Sequence, residues 1–381
     1  MSILYLSLVI FKGYNMEKNR KAGLKSQSWV IVAFFAFVAV LLFNHCAETT
    51  PEAEADVELT ELIERALAFT SPMPEDAFLE GMNKSEEIIE LGKMLFYEPR
   101  ISKSGTISCN SCHNMATFGV DQTPVSIGHA WQEGPINAPT VLNAAFHDTQ
   151  FWDGRAADVE EQAGMPILDP LEMAATEEHV LEVLSSMPEY VDRFAKAFPE
   201  QENPLIYENV GNAIGAFERI LVTISPFDKY IRGNENALTQ KQKQGLEVFI
   251  EVGCQSCHRG QVLGGDMFAF FQTPRERETG DAHPGRYEVT GRESDKHFFK
   301  VPSLLNITKT YPYLHDGSVW SLDETVNIVA RDMLNRELSQ DETTKIVAFL
   351  ESLTGEIPQY ALELPVLPPS TQDTPRPRFD L

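Results

Sequence analysis

Cysteine is scarce in this sequence, with five residues among 381. That number is too small for a disulfide scaffold in a chain of this length. Four of the five form two C-x-x-C pairs, and Cys46 stands alone. The sequence therefore predicts paired thiols with a specific role rather than a network of cross-links.

Positive charge is also scarce, because 31 basic residues face 56 acidic ones and the net charge is −25. The first 28 residues are basic, so the rest of the chain is more acidic still. Such a surface repels phosphate backbones, which excludes nucleic acid as an expected partner. The charge would steer a basic protein partner towards this chain, although acidity alone also keeps a protein soluble.

No apolar run is long enough for an ordinary membrane span. The longest, Trp29–Phe43, has 15 residues and follows a basic stretch that begins at Met16. A span needs about 18 or more, whereas an export signal has this length and these flanks. Cys46, just after the run, leaves three alternatives open: a lipidated anchor, a cleaved signal peptide or an uncleaved anchor. All three predict a body outside the cytoplasm.

Sustained alternation of apolar and polar residues is absent too, so we expect a mainly α protein. Helical patterns run over Ser85–Phe96, over Thr176–Phe198 with a break at Pro188, and over Glu208–Val222. Three pairs fit the capping box that opens a helix: Thr239 with Gln242, Ser321 with Glu324, and Ser339 with Glu342.

The chain carries an internal duplication. In each half a helical pattern runs into C-x-x-C-H, and the two motifs lie 145 residues apart. We therefore predict two cytochrome c-like domains, each built around one covalently bound haem c. The expected organisation is a signal or anchor at 1–46, an acidic linker and lead-in at 47–80, haem domains at 81–225 and 226–356, and a proline-rich extended tail at 357–381.

The two motifs are Cys109–His113 and Cys254–His258. In C-x-x-C-H the thiols form thioethers to the porphyrin and the histidine binds the iron. Zinc would need four convergent ligands, and a thioredoxin-like pair would need a βαβ context. Neither alternative explains the repeated histidine, so Cys109, Cys112, Cys254 and Cys257 are predicted to hold two haems with His113 and His258 as proximal ligands.

From Gly92 to Glu356 the chain resembles the bacterial di-haem cytochrome c peroxidases, a family that includes the MauG-type enzymes. The matching stretches are Cys109–Asn114, Ser126–His129, Asn137–Thr140, Phe151–Arg155, Leu171–Met173 and Tyr313–Ser318. The resemblance implies a periplasmic enzyme that reduces hydrogen peroxide to water. It implies electrons from a small cytochrome c or cupredoxin, entering at the C-terminal haem. It also implies a homodimer.

The resemblance assigns roles to four further residues. His129 matches the removable sixth ligand of the N-terminal, peroxidatic haem. Glu172 matches the catalytic glutamate that moves a proton during O–O cleavage, and Gln162 matches its neighbour that positions peroxide. Trp152 matches the tryptophan between the haems, which shortens electron tunnelling or simply packs in the core.

The resemblance also implies ligands for a calcium ion and a sixth ligand for the second haem iron. Asn137, Thr310 and Pro312 match the positions that bind a calcium ion between the haems. The family's axial methionine for the second haem falls on Val329, which cannot bind iron. Met333, one helical turn later, is then the expected ligand or a core residue; Met267 and His297 are the other candidates.

Three functions remain open at this point. The leading one is a cytochrome c peroxidase. A MauG-like enzyme that oxidises a partner protein would share Trp152 and Glu172 but differ in the second haem's ligand. A non-enzymatic electron carrier would keep its first haem six-coordinate after reduction and turn over no peroxide.

Overall fold

The computed structural model describes residues 60–380, so the predicted export signal, Cys46 and residues 47–59 of the acidic linker and lead-in lie outside the described residues. Within the described part, no helix is long and apolar enough to cross a bilayer. The described residues cluster as one compact unit.

The described chain is mainly helical, as predicted. The α-helices are α1 Glu61–Leu67, α2 Glu86–Phe96, α3 Cys109–Cys112, α4 Val159–Leu168, α5 Glu177–Ser185, α6 Pro188–Ala197, α7 Tyr207–Glu218, α8 Pro226–Ile231, α9 Gln240–Val252, α10 Pro274–Thr279, α11 Tyr287–Thr290, α12 Leu322–Leu334, α13 Gln340–Glu351 and α14 Gln359–Leu362. Short 3₁₀ turns occur at Pro99–Ile101, Met115–Thr117, His129–Trp131, Ala144–Phe146, Glu235–Ala237, Cys254–Ser256, Glu293–Asp295 and Ile307–Lys309.

A single β-ribbon, which the sequence did not predict, interrupts the second half. Strands β1 Phe268–Phe270 and β2 Phe298–Lys300 pair antiparallel, with Phe268 opposite Lys300. Three-residue strands are too short to produce a readable alternation. The ribbon matters because it carries Lys300 into the interior.

Helix starts largely follow the predicted caps. Thr239 and Ser339 form reciprocal capping boxes at α9 and α13. The Ser321 side chain accepts a hydrogen bond from the Glu324 amide at the start of α12, but the Glu324 side chain does not accept one from the Ser321 amide. The predicted helix over Glu208–Val222 was too long, because α7 ends at Glu218 and the chain then leads to an isolated bridge between Ile224 and Glu356.

Two hydrophobic cores form, one beside each C-x-x-C-H motif. The first packs α2 and α4 to α7 around residues such as Leu95 and Phe217. The second packs α1, α8, α9 and α13 around Phe249 and Phe349, whose ring centroids lie 5.1 Å apart. Residues 61–67, expected within a lead-in to the first haem domain, thus form a helix of the second core.

A close helix crossing recurs in both cores. A Cβ on Gly92 of α2 would meet the Ala213 carbonyl oxygen of α7 at 1.8 Å, and one on Gly245 of α9 would meet the Lys345 carbonyl oxygen of α13 at 2.0 Å. Only glycine allows these backbones to touch. The helix before each motif is therefore held against its partner in the same way.

The two halves are joined by a polar contact at Thr223. Asn143 and Asn306 each donate a side-chain hydrogen bond to the Thr223 hydroxyl, at 2.8 and 3.0 Å. Both asparagines have left-handed backbones, with φ of 62° and 61°, and each follows a similar segment, 139–142 or 302–305. This second repeat extends the duplication beyond the motifs.

Candidate active site and haem-binding cavities

Two largely apolar cavities open beside the motifs. The first cavity, of about 420 Å³, is lined by Cys109, Cys112 and His113. The second cavity, of about 260 Å³, is lined by Cys254, Cys257 and His258. A shared wall separates them, and residues 137–140, His147, Phe151 and Trp152 line both.

Both motif histidines are oriented by the backbone. Nδ1 of His113 donates to the Gly119 carbonyl at 3.3 Å, and Nδ1 of His258 donates to the Leu263 carbonyl at 3.1 Å. Burial lowers the pKa of both imidazoles, which keeps them neutral. A neutral imidazole with Nδ1 so engaged offers Nε2 as the metal ligand.

The four motif cysteines are free thiols in intermediate exposure. Burial raises the pKa of Cys112 to about 11 and that of Cys254 to about 12. Catalytic redox pairs show the opposite shift, towards a stable thiolate. Each motif thus places two thiols and one oriented imidazole on a mainly apolar cavity, which fits covalently held haem.

Glu172 and Gln162 come together at the first cavity. Gln162 lies on α4, and Glu172 follows in the turn after that helix, where its amide donates to the Asp169 carbonyl at 3.1 Å. Burial, with a smaller contribution from Asp169, raises the pKa of Glu172 to about 7. A carboxyl poised near neutrality can both accept and return a proton.

Trp152 stands in the shared wall. Its indole Nε1 donates to the Asn137 carbonyl at 2.9 Å, and its ring meets the Phe299 and His315 rings edge-on. The ring is therefore fixed in orientation while it faces both cavities.

His129 does not line the first cavity. It is 1% exposed, and its Nε2 donates to the Asp380 carbonyl of the C-terminal tail at 2.9 Å, while Nδ1 has no hydrogen-bond partner within residues 60–380. Its amide donates to the Glu172 carbonyl at 2.7 Å. Ala130 and Trp131 follow with φ of 55° and 65°, a strained backbone for non-glycine residues.

The second cavity receives one face of α12. Val326, Val329, Ala330 and Met333 all line it, so Val329 and Met333 share the face that the helical spacing predicts. Met267 and His297 are not among the lining residues. Asn137, Thr310 and Pro312, the three predicted calcium positions, also line this cavity.

Sequence reasoning missed three buried polar residues at the cavities. Glu218 lines the first cavity, and burial raises its pKa to about 8. His147 and Lys300 meet beside the shared wall, 153 positions apart in the chain. Isolated residues of these types carry no motif, so only the fold identifies them.

Residues 86–236 match the model of the family described as di-haem cytochrome c peroxidase. The cytochrome c551 peroxidase of Nitrosomonas europaea is 49% identical over 77% of this chain and 87% of that protein. That of Pseudomonas aeruginosa is 45% identical over 86% of this chain and 94% of that protein. A crystal structure of a MauG-like protein associated with microbial copper homeostasis, 28% identical, superposes with a TM-score of 0.67 over 77% of this chain and 97% of that one. Since the cavities, the oriented histidines and these relatives agree, the chain belongs to the di-haem cytochrome c peroxidase family and is an oxidoreductase acting on peroxide.

Proposed function

We propose that this protein is a periplasmic di-haem peroxidase that reduces hydrogen peroxide to two waters with electrons from a small cytochrome c or cupredoxin. One observation carries the proposal: Glu172 and Gln162 face the cavity that His113 lines, and the pKa of Glu172 is raised to about 7. When bound, the two haems supply the redox chemistry, the first at the peroxide and the second towards the donor.

The chain's own residues supply positioning and proton movement. Gln162 would orient peroxide by hydrogen bonding. The Glu172 carboxylate would accept the proton of the inner oxygen and deliver it to the departing one. Trp152, held by the Asn137 carbonyl between the cavities, would shorten the electron path.

A steady-state assay tests the reaction itself. Reduced donor cytochrome should be oxidised only when peroxide is present, with two donor molecules consumed for each peroxide. The absence of peroxide-dependent oxidation would overturn the proposed function.

The hydrogen bond between His129 and the Asp380 carbonyl of the C-terminal tail suggests a switch. In one arrangement His129 is held by the tail, and in the other it binds the first haem iron. In the observed arrangement His129 is hydrogen-bonded to the Asp380 carbonyl and does not line the first cavity. We infer that this arrangement would leave the first haem's distal side accessible to peroxide. Other contacts fix the tail: the Arg378 amide donates to the Lys103 carbonyl at 2.9 Å, and the Thr371 hydroxyl donates to the Ser186 carbonyl at 2.9 Å. Release of this contact would free His129 to close the cavity as an axial ligand.

Deletion of residues 371–381 should therefore shift the protein towards the closed, six-coordinate form. One lost hydrogen bond of about 1 kcal/mol corresponds to a population change of roughly fivefold. The low-spin fraction of the first haem, measured by electron paramagnetic resonance, reports it. Asp380→Asn is the matched control, because it keeps the carbonyl that His129 uses. An unchanged low-spin fraction in the deletion variant would rule out the tail's role.

A MauG-like oxidase of a partner protein is the second candidate, and Val329 favours it, since valine stands where the family's axial methionine is expected. Met333 is the residue that decides between the two. Both side chains line the second cavity.

Met333→Leu, which preserves volume, should abolish the methionine-to-iron charge-transfer band and lower the second haem's potential, because methionine ligation raises it. Met267→Leu, off the cavity, is the control and should leave the spectrum intact. A Met333→Leu spectrum identical to wild type would remove Met333 as ligand and favour the MauG-like function.

Further parts of the proposal concern ions and location. We propose one calcium ion held by Asn137 with the main-chain carbonyls of Thr310 and Pro312, since carbonyl oxygens suit a hard cation. Export by residues 16–43, with or without a membrane tether at Cys46, and a homodimeric state stay predictions.

A further inference from the structure

Lys300 is buried without a carboxylate partner. It is 6% exposed at the end of β2, and its ammonium donates to the Thr149 carbonyl at 2.6 Å and to Nδ1 of His147 at 3.0 Å. None of the ion pairs found within residues 60–380 includes it. An ammonium has three donors and no acceptor, so one N–H is left over. Burial lowers the pKa of the Lys300 ammonium to about 7, and an anion beside it would raise that pKa again and keep the group charged.

His147 adds a second unpaired donor. Because its Nδ1 accepts from Lys300, its Nε2 carries the proton, and burial with the nearby Lys300 charge lowers the pKa of the ring well below its usual value. Nε2 is buried and has no partner in the described chain. The ring is packed against the Gly265 backbone, where a Cβ would meet it at 2.6 Å, so it cannot turn away freely.

The hydroxyl of Thr149 is the third such group. Its Oγ1 is also buried and unpartnered within residues 60–380. Lys300 and His147, from two chain segments, both line the second cavity, and each keeps an N–H without an acceptor in residues 60–380, whereas Thr149 lines neither cavity. Buried N–H donors of this kind favour an anion as their partner. His147 faces both cavities, whereas Lys300 faces only the second.

We propose that Lys300 and His147 bind the porphyrin propionates of the haem attached at Cys254 and Cys257. This rests on the haem-binding part of the proposed function and not on its peroxide chemistry. Propionates are the ionised groups at a porphyrin's edge, and here the donors lie on the wall of the cavity that His258 lines. A charge-assisted bond to Lys300 would neutralise both buried charges.

The consequence for the second haem is electrostatic. The Lys300 cation beside the propionate favours the reduced, more electron-rich state. It also keeps the propionate ionised, so reduction takes up an electron without a proton. Without the cation, the propionate would be protonated as the haem is reduced, and the potential would depend on pH.

The experiment is a spectroelectrochemical titration of the two-haem protein from pH 5 to pH 9. Lys300→Met should lower the second haem's reduction equilibrium constant roughly tenfold, which is 59 mV for a one-electron couple, and introduce a pH dependence that the wild type lacks. Lys300→Arg, which keeps the charge, should restore the flat profile. Lys296→Met is the control, because it removes an exposed lysine four residues away.

Other titratable groups near Lys300 do not differ between the variants. Asp153 is paired with Arg155 at 3.0 Å, Asp148 is exposed, and Asp266 beside Gly265 is paired with Arg259 at 2.8 Å. Their contribution is therefore common to Lys300→Met and its control.

Three results would overturn the assignment. The first is a Lys300→Met profile identical to that of Lys296→Met. The second is a wild-type potential that shifts when inorganic phosphate or acetate is added at constant ionic strength, because the site would then hold a free anion. If Lys300→Met fails to retain two haems, His147→Phe is titrated in its place, and it should also lower the reduction potential of the second haem. The third overturning result is a second-haem potential in His147→Phe that equals the wild-type value. Peroxide turnover is not used, so failure of the proposed reaction leaves this test intact.

Discussion

Glu172→Gln should slow peroxide consumption by half-reduced protein by roughly 10²–10⁴-fold, the range expected when a general acid–base is lost. Glutamine keeps the shape of the side chain but cannot accept the proton that O–O cleavage must move. Rapid mixing of half-reduced protein with peroxide, followed through the haem absorbance, measures the rate directly. Haem content and thermal stability should be unchanged, because Glu172 lies outside the attachment motifs.

The pH profile gives an independent sign of the same role. Burial raises the pKa of Glu172 to about 7, so the base form is depleted below that pH. The wild-type rate should fall about tenfold for each pH unit below 7, while the Glu172→Gln rate stays flat. Glu182→Gln removes an exposed carboxylate on α5 and is the charge-matched control. Equal rates in wild type and Glu172→Gln would remove Glu172 from the mechanism.

Local sequence patterns predicted the features that residues close together in the chain determine, namely the C-x-x-C-H motifs, the helical class and the helix caps. C-x-x-C-H places two thiols and an imidazole within one turn, and each motif histidine lines a cavity with its Nδ1 held by a backbone carbonyl. The helical class and two of three capping boxes followed from spacings of three and four residues. These features need no knowledge of distant contacts.

Other parts depend on contacts that no local pattern encodes. Glu172, Gln162 and Trp152 could be named only through the family resemblance, because a single glutamate or tryptophan has no signature of its own. The meeting of His147 with Lys300 requires the β-ribbon, whose strands are too short to detect. The engagement of His129 by Asp380 joins positions 251 residues apart.

The two cavities also explain why the haems should be structural as well as catalytic. An apolar cavity without its occupant costs the surrounding core the packing contacts of its lining. The second cavity, of about 260 Å³, is lined mainly by apolar side chains, so its core should depend on the haem in this way. Ordinary domains have a total stability of about 5–15 kcal/mol, so loss of one haem should threaten the core around it.

Replacing Cys254 and Cys257 with alanine should therefore leave one covalently bound haem per chain and unfold the second core selectively. Haemochrome spectra of the acid–acetone-extracted protein give the haem count, and thermal melts followed by near-ultraviolet circular dichroism should show an early transition. Gln255→Ala with Ser256→Ala is the control, since it alters the motif's interior while keeping both thiols. Two retained haems in the cysteine variant, or tightly bound zinc in the wild type, would contradict covalent attachment. The mirror variant at Cys109 and Cys112 should likewise leave one covalently bound haem per chain and destabilise the first core, whose cavity of about 420 Å³ would lose its occupant.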